Sequence, residues 1–75
     1  MEMTDQKKQI VGWVGQVDEI KEEAAEHWSM AKRAVADGKV DDAISLLNRY
    51  FRLKVKLEKV ESSLASLLHG YFSDK

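Results

Sequence analysis

The sequence predicts an all-α protein, a long antiparallel helical hairpin that dimerises into a four-helix bundle. Three observations carry this. The chain has no Pro and only four Gly, so little interrupts a helix. Apolar residues recur at alternating spacings of three and four from Ile10 to Val35, and again from Val40 to Phe72, which is a helical period. The two series also mirror each other about the Gly38–Lys39 bond. Ile10 stands as far before that bond as Leu67 stands after it. The same holds for Trp13 and Leu64, Val17 and Val60, Ile20 and Leu57, Ala24 and Leu53, Ala31 and Leu46, and Ala34 and Ala43. Equal distances on both sides are what two antiparallel helices joined by a short loop require.

The elements follow in order. Thr4 or Asp5 is expected to cap the first helix, its side-chain oxygen accepting from amides of the first turn. That helix is predicted over about 5–37, a turn over 37–40 and a second helix over about 41–70, with all of 1–75 forming one domain. Gly38 is free to take the left-handed conformation that ends a helix. Asp41 and Asp42 place negative charge at the start of the second helix, where its dipole is positive. Gly12 and Gly15 bracket Trp13 and predict either a kink or a late helix start, which would free residues 1–12, or the close approach of another helix.

In heptad terms Ile10, Val17, Ala24 and Ala31 take position a of the first helix, and Trp13, Ile20, His27 and Ala34 take d. On the second helix Ala43, Tyr50, Leu57, Leu64 and Tyr71 take a, and Leu46, Leu53, Val60 and Leu67 take d. His27 then faces Tyr50, and a hydrogen-bonded His–Tyr layer is expected there. Charge agrees with this register: Asp18, Glu19, Glu22, Glu23 and Glu26 lie beside Arg49, Arg52, Lys54, Lys56 and Lys59. One detail runs against it, since Lys21 and Lys54 face each other at e and must splay apart.

The seam does not use all the apolar residues. Beside it, on one flank at e and b, stand Val11, Val14, Trp28, Val35, Ile44, Leu47, Phe51, Ala65, Leu68 and Phe72. They form a patch near the turn and a patch near the chain ends, separated by Asp18, Lys21, Lys54, Glu58 and Glu61. Burying a large apolar side chain gains about 1.5–3 kcal/mol, and leaving two such patches in water invites aggregation. A second copy packed flank to flank covers both; the other way to cover them is a short N-terminal helix folded back over the flank. Val11, Val14, Trp28, Val35, Ile44, Leu47, Phe51, Leu68 and Phe72 are therefore the expected dimer or partner interface.

Composition narrows the function. Seventy-five residues bury a thin core and commonly need a partner. There is no Cys, hence no disulfide or thiolate chemistry. Twelve basic and 13 acidic residues leave a net charge of −1, so no global field recruits nucleic acid or anionic lipid. No apolar run approaches the roughly 18 residues that span a bilayer, and Met1-Glu2-Met3-Thr4-Asp5 lacks the layout of a signal peptide. A cytoplasmic protein without membrane contact is expected.

Chemistry is sparse. His27, Glu23 and Glu19 share a helical face, but the bundle metal pattern needs Glu three residues before His, and Ala24 stands there. His69 has no carboxylate at helical spacing. Ser45, Ser62, Ser63 and Ser66 have no paired base, and no phosphate loop follows a strand. No enzymatic activity, metal or cofactor is expected.

The stretch from Ala36 to Ile44 resembles the inter-helix turn of a tetratricopeptide repeat, in its Gly, the apolar residue two positions later and the Ala-Ile that follows. Trp28 stands near the position of that repeat's first-helix aromatic. It occurs once, and its second helix runs on without a terminating Pro, so the likeness is one of turn chemistry. The overall layout is similar in topology to the Rop-type RNA-binding hairpin dimers. That similarity is one of topology and implies a dimeric bundle with RNA on one face; separately, the basic run on the second helix offers Arg49, Arg52, Lys56 and Lys59 as candidate phosphate contacts.

The expected function is a homodimeric protein-interaction module, an adaptor, chaperone or inhibitor-like regulator that docks on a larger protein. Its candidate anchors are Trp13, Trp28, Tyr50, Phe51, Tyr71 and Phe72, since aromatics dominate interface energetics. The alternative is a nucleic-acid-binding regulator that uses the basic second helix.

Overall fold

The structure, a computed structural model, describes residues 5–73. It is an α-helical hairpin of two helices, α1 (Asp5–Ala36) and α2 (Val40–Ser73), packed side by side. Asp5 lies in the first turn of α1, while Thr4, the other expected cap, lies outside the described residues.

The turn follows from Gly38. Its φ is +77°, a region that costs an L-residue with a Cβ roughly 1–2 kcal/mol. The Lys39 amide donates to the Ala34 carbonyl at 2.8 Å, and the Gly38 amide donates to the Val35 carbonyl at 3.1 Å. This six-to-one and five-to-two pair is the Schellman arrangement, which satisfies the free carbonyls at the end of α1. The Lys39 carbonyl then accepts from Ala43 at 3.1 Å and starts α2, with Asp41 and Asp42 in its first turn. Gly38→Ala is expected to lower stability by about 1 kcal/mol, read as a fall in the urea midpoint without loss of helicity in the folded state. A neutral substitution would show that the turn relaxes out of the left-handed region.

The seam is the one expected from the mirror. Val17, Ile20, Leu57 and Val60 form the central cluster, flanked by half-buried Trp13, Leu53 and Leu64. Towards the turn the buried residues are Ala24, Ala31, Ala34 and Ala43. No large side chain is fully buried among the described residues. The hairpin measures 55 × 22 × 12 Å, and 12 Å is the thickness of one helix with its side chains. Its radius of gyration is 17.0 Å, against about 11 Å for a compact chain of this length. The molecule is a slab one helix thick, with both broad faces open.

Three expectations change. α1 begins at Asp5, so neither a late helix start nor a separate arm is seen in residues 5–12. No described segment folds back over the flank as a third helix. α2 continues through Gly70 to Ser73, because one Gly costs only about 1 kcal/mol and Tyr71, half-buried, extends the seam beyond it.

Gly12 and Gly15 have nothing within 4 Å of where a Cβ would stand. They lie at c and f, away from both seam and flank, so no packing within the chain requires them. Changing both to Ala is expected to stabilise the hairpin by about 0.5–1 kcal/mol per site. A loss of stability in thermal melts would reveal a close approach to these positions by another molecule.

Candidate interaction surface

The helical phase of α1 and α2 carries the e and b positions of both helices onto one broad face. Near the turn, Trp28, Val35 and Leu47 line an apolar groove of about 370 Å³, with Ala31 and Ala36 in its walls. Tyr50 links Trp28 to Phe51 by ring contacts, with centroids 5.1 Å apart to Trp28 and 5.2 Å apart to Phe51. Phe51 and Ile44 are each 58% exposed and Val35 is 60% exposed; Leu47 is half-buried. At the other end Val11, Val14, Leu68 and Phe72 are exposed, Phe72 most of all at 64%. Phe72 meets Tyr71 edge-on at 5.3 Å.

Between the patches lies a charged belt. Lys21 and Lys54 line a second groove, of about 370 Å³, whose walls are completed by Ala24, Ala25, Leu57 and the rings of Trp28 and Tyr50. Asp18, Glu58 and Glu61 continue the same face towards the chain ends, and all three are exposed.

The six aromatic anchors divide into two groups. Trp13, Tyr50 and Tyr71 are half-buried along the seam, whereas Trp28, Phe51 and Phe72 are exposed on the flank. The expected His27–Tyr50 hydrogen bond is replaced by two other interactions. His27 donates from Nδ1 to the Glu23 carbonyl one turn back, at 2.8 Å, and Tyr50 takes the Trp28 ring as its neighbour. The ring satisfies its donor within its own helix, which removes the drive to reach across the seam.

The opposite flank differs. Among the described residues, Met30 is the one large apolar residue that its g and c positions expose, in a groove shared with Asp42, Ser45, Leu46 and Arg49. Arg49, Arg52, Lys56 and Lys59 stand exposed along this side of α2. Met30, Val40 and Val55 are exposed apolar residues outside the expected interface; Met30 and Val55 stand at g and f, away from the flank, whereas Val40 stands at e and belongs to the flank by its helical phase. Among the described residues no three potential metal ligands come together, and no helix is long and apolar enough to cross a membrane.

No protein family, no curated protein and no solved structure matches this chain. The functional reading therefore rests on the surface itself.

Proposed function

We propose that this protein is a small non-enzymatic interaction module that assembles as a homodimeric four-helix bundle through its e and b flank. As that bundle it docks on a larger protein as an adaptor, chaperone or inhibitor-like regulator. The observation that carries this reading is the one-helix-thick slab with large apolar side chains on one broad face. The accessible surface is 5969 Å², against about 4,700 Å² for a compact monomer of the same mass. The excess exceeds the roughly 800 Å² that each partner contributes to a standard interface. A second hairpin converts the slab into two layers around one core, the usual condition for a stable helical domain.

Sedimentation equilibrium at micromolar chain concentration tests it. The expected mass is twice the 8.6 kDa of the chain, and a single-chain mass throughout the micromolar range rules the dimer out. A pull-down with the intact protein, with and without nuclease, tests the docking. Protein partners retained after nuclease support it.

A second reading, nucleic-acid binding, has one observation in its favour: Arg49, Arg52, Lys56 and Lys59 share one exposed side of α2. Phosphate contacts by four such residues would make binding to structured RNA steeply salt-dependent. Absence of a mobility shift at low salt ends that reading.

A further inference from the structure

We propose that the two copies pack antiparallel, each helix lying over its own counterpart, in a register set by the charged belt across the flank. This rests on the homodimer reading above and adds the orientation and the residue pairing.

The belt is polarised along the hairpin. Lys21 and Lys54 lie on the side towards the turn, lining one groove. Asp18 and Glu58 lie about one helical turn further towards the chain ends, and Glu61 about two, at 1.5 Å per residue. Two flank-to-flank arrangements with two-fold symmetry compete. With the axis along the helices, the copies run parallel and α1 of one lies over α2 of the other. Lys21 then stands over Lys54 of the second copy, and Asp18 stands over its Glu58 and Glu61. Each belt contact is a like-charge pair.

With the axis across the helices, the copies run antiparallel and each helix covers its own counterpart. One axis position then places Lys21 opposite Asp18 of the second copy and Lys54 opposite its Glu61. Glu58 falls near the axis beside Glu58 of the second copy, one like-charge pair at the dyad, with a lysine within reach on either side to offset it. The same position, with no further adjustment, sets the apolar patches against each other. Trp28 comes over Val11 of the second copy, Leu47 over its Leu68, and Phe51 beside its Ala65. Large side chains thus meet small ones at two of the three levels, as interdigitation requires. At the rim Lys32 approaches Lys7, a like pair that water and salt screen. A balance of mostly opposite pairs in one orientation and only like pairs in the other is how charge selects an arrangement. The flank, on a face of 55 × 22 Å, has room for the roughly 800 Å² per partner of a standard interface.

Two measurements on the full chain decide the matter. The chain has no Cys, so Lys39→Cys accepts a single spin label at the turn. Antiparallel packing puts the two labels more than about 45 Å apart, as the helical rise sets it. Parallel packing brings them within about 25 Å, side by side across adjacent helices. Charge reversal gives the second measurement. Lys54→Glu is expected to weaken the dimer about tenfold, a shift near 1.4 kcal/mol, because it sets Glu against Glu61 twice per dimer. Adding Glu61→Lys restores the wild-type constant. In the parallel arrangement the same Lys54→Glu change meets Lys21 and tightens the dimer. Position 54 is exposed, and unchanged helicity confirms that each variant folds. A short label distance or a tighter Lys54→Glu dimer overturns the antiparallel register and leaves the dimer standing. A wild-type chain that sediments as a monomer overturns both.

Discussion

Replacing Trp28 and Phe51 together with Ala is expected to turn the proposed dimer into monomers at micromolar concentration. Within one chain the two side chains are 44% and 58% exposed, so the hairpin itself loses mainly their ring contacts with Tyr50. In the proposed bundle both become buried against the second copy and are removed twice over. Truncating a buried aromatic anchor costs about 2 kcal/mol or more, and each 1.4 kcal/mol is tenfold in the dissociation constant. A weakening of at least about a thousandfold follows, read by sedimentation across a concentration series. Another result has its own meaning. If the variant stays dimeric and helical but no longer captures the larger protein, the turn patch is the docking surface and assembly uses another face.

Leu57→Ala has the second large effect, and it acts on the fold. Leu57 is 5% exposed in the central cluster with Val17, Ile20 and Val60. Removing such a side chain costs about 2–5 kcal/mol, depending on how far the site collapses. For a chain of this size each kilocalorie moves the melting temperature by about 4–8 °C, so a fall of more than about 10 °C is expected. Val55, two residues away, points outward and is 54% exposed. Val55→Ala is expected to stay within about 0.5 kcal/mol of wild type. Comparable losses at the two positions would mean that α2 is rotated relative to the seam described above. The Leu57→Ala melt is also expected to recover as chain concentration rises, because association stabilises whatever fold it requires.

The seam was almost wholly legible in the sequence. Every buried residue, from Val17 to Val60, occupies an a or d position of the mirrored heptads, because an antiparallel pair leaves its apolar residues only one way to meet. Gly38 was legible for a similar reason: between two helical patterns it was the one residue at no cost in a left-handed turn. The misreadings share a cause as well. Gly12, Gly15 and Gly70 looked like signals of irregularity, yet each costs only about 1 kcal/mol in a helix, which its helix tolerates. His27 seemed to need Tyr50, but a carbonyl of its own helix lay closer. Competition between a local partner and a distant one is settled by geometry that spacing alone does not carry.

The candidate surface divides along the same line. Periodicity determined which residues share a flank and where its two patches and polar belt lie, since helical phase is a property of position in the chain. Tertiary structure decided that this flank stays open. It shows α1 unbroken from Asp5 with no described segment folded back, a slab only 12 Å thick, and Trp28, Phe51 and Phe72 facing water while Trp13, Tyr50 and Tyr71 line the seam. Two helices offer one narrow groove between them, and large side chains beyond that groove stay substantially exposed on the single chain. The sequence by itself thus determined the hairpin and its facing residues, through period and mirror symmetry. Only the packed structure decided which apolar residues the hairpin leaves uncovered, because burial depends on what lies on the far side of a face.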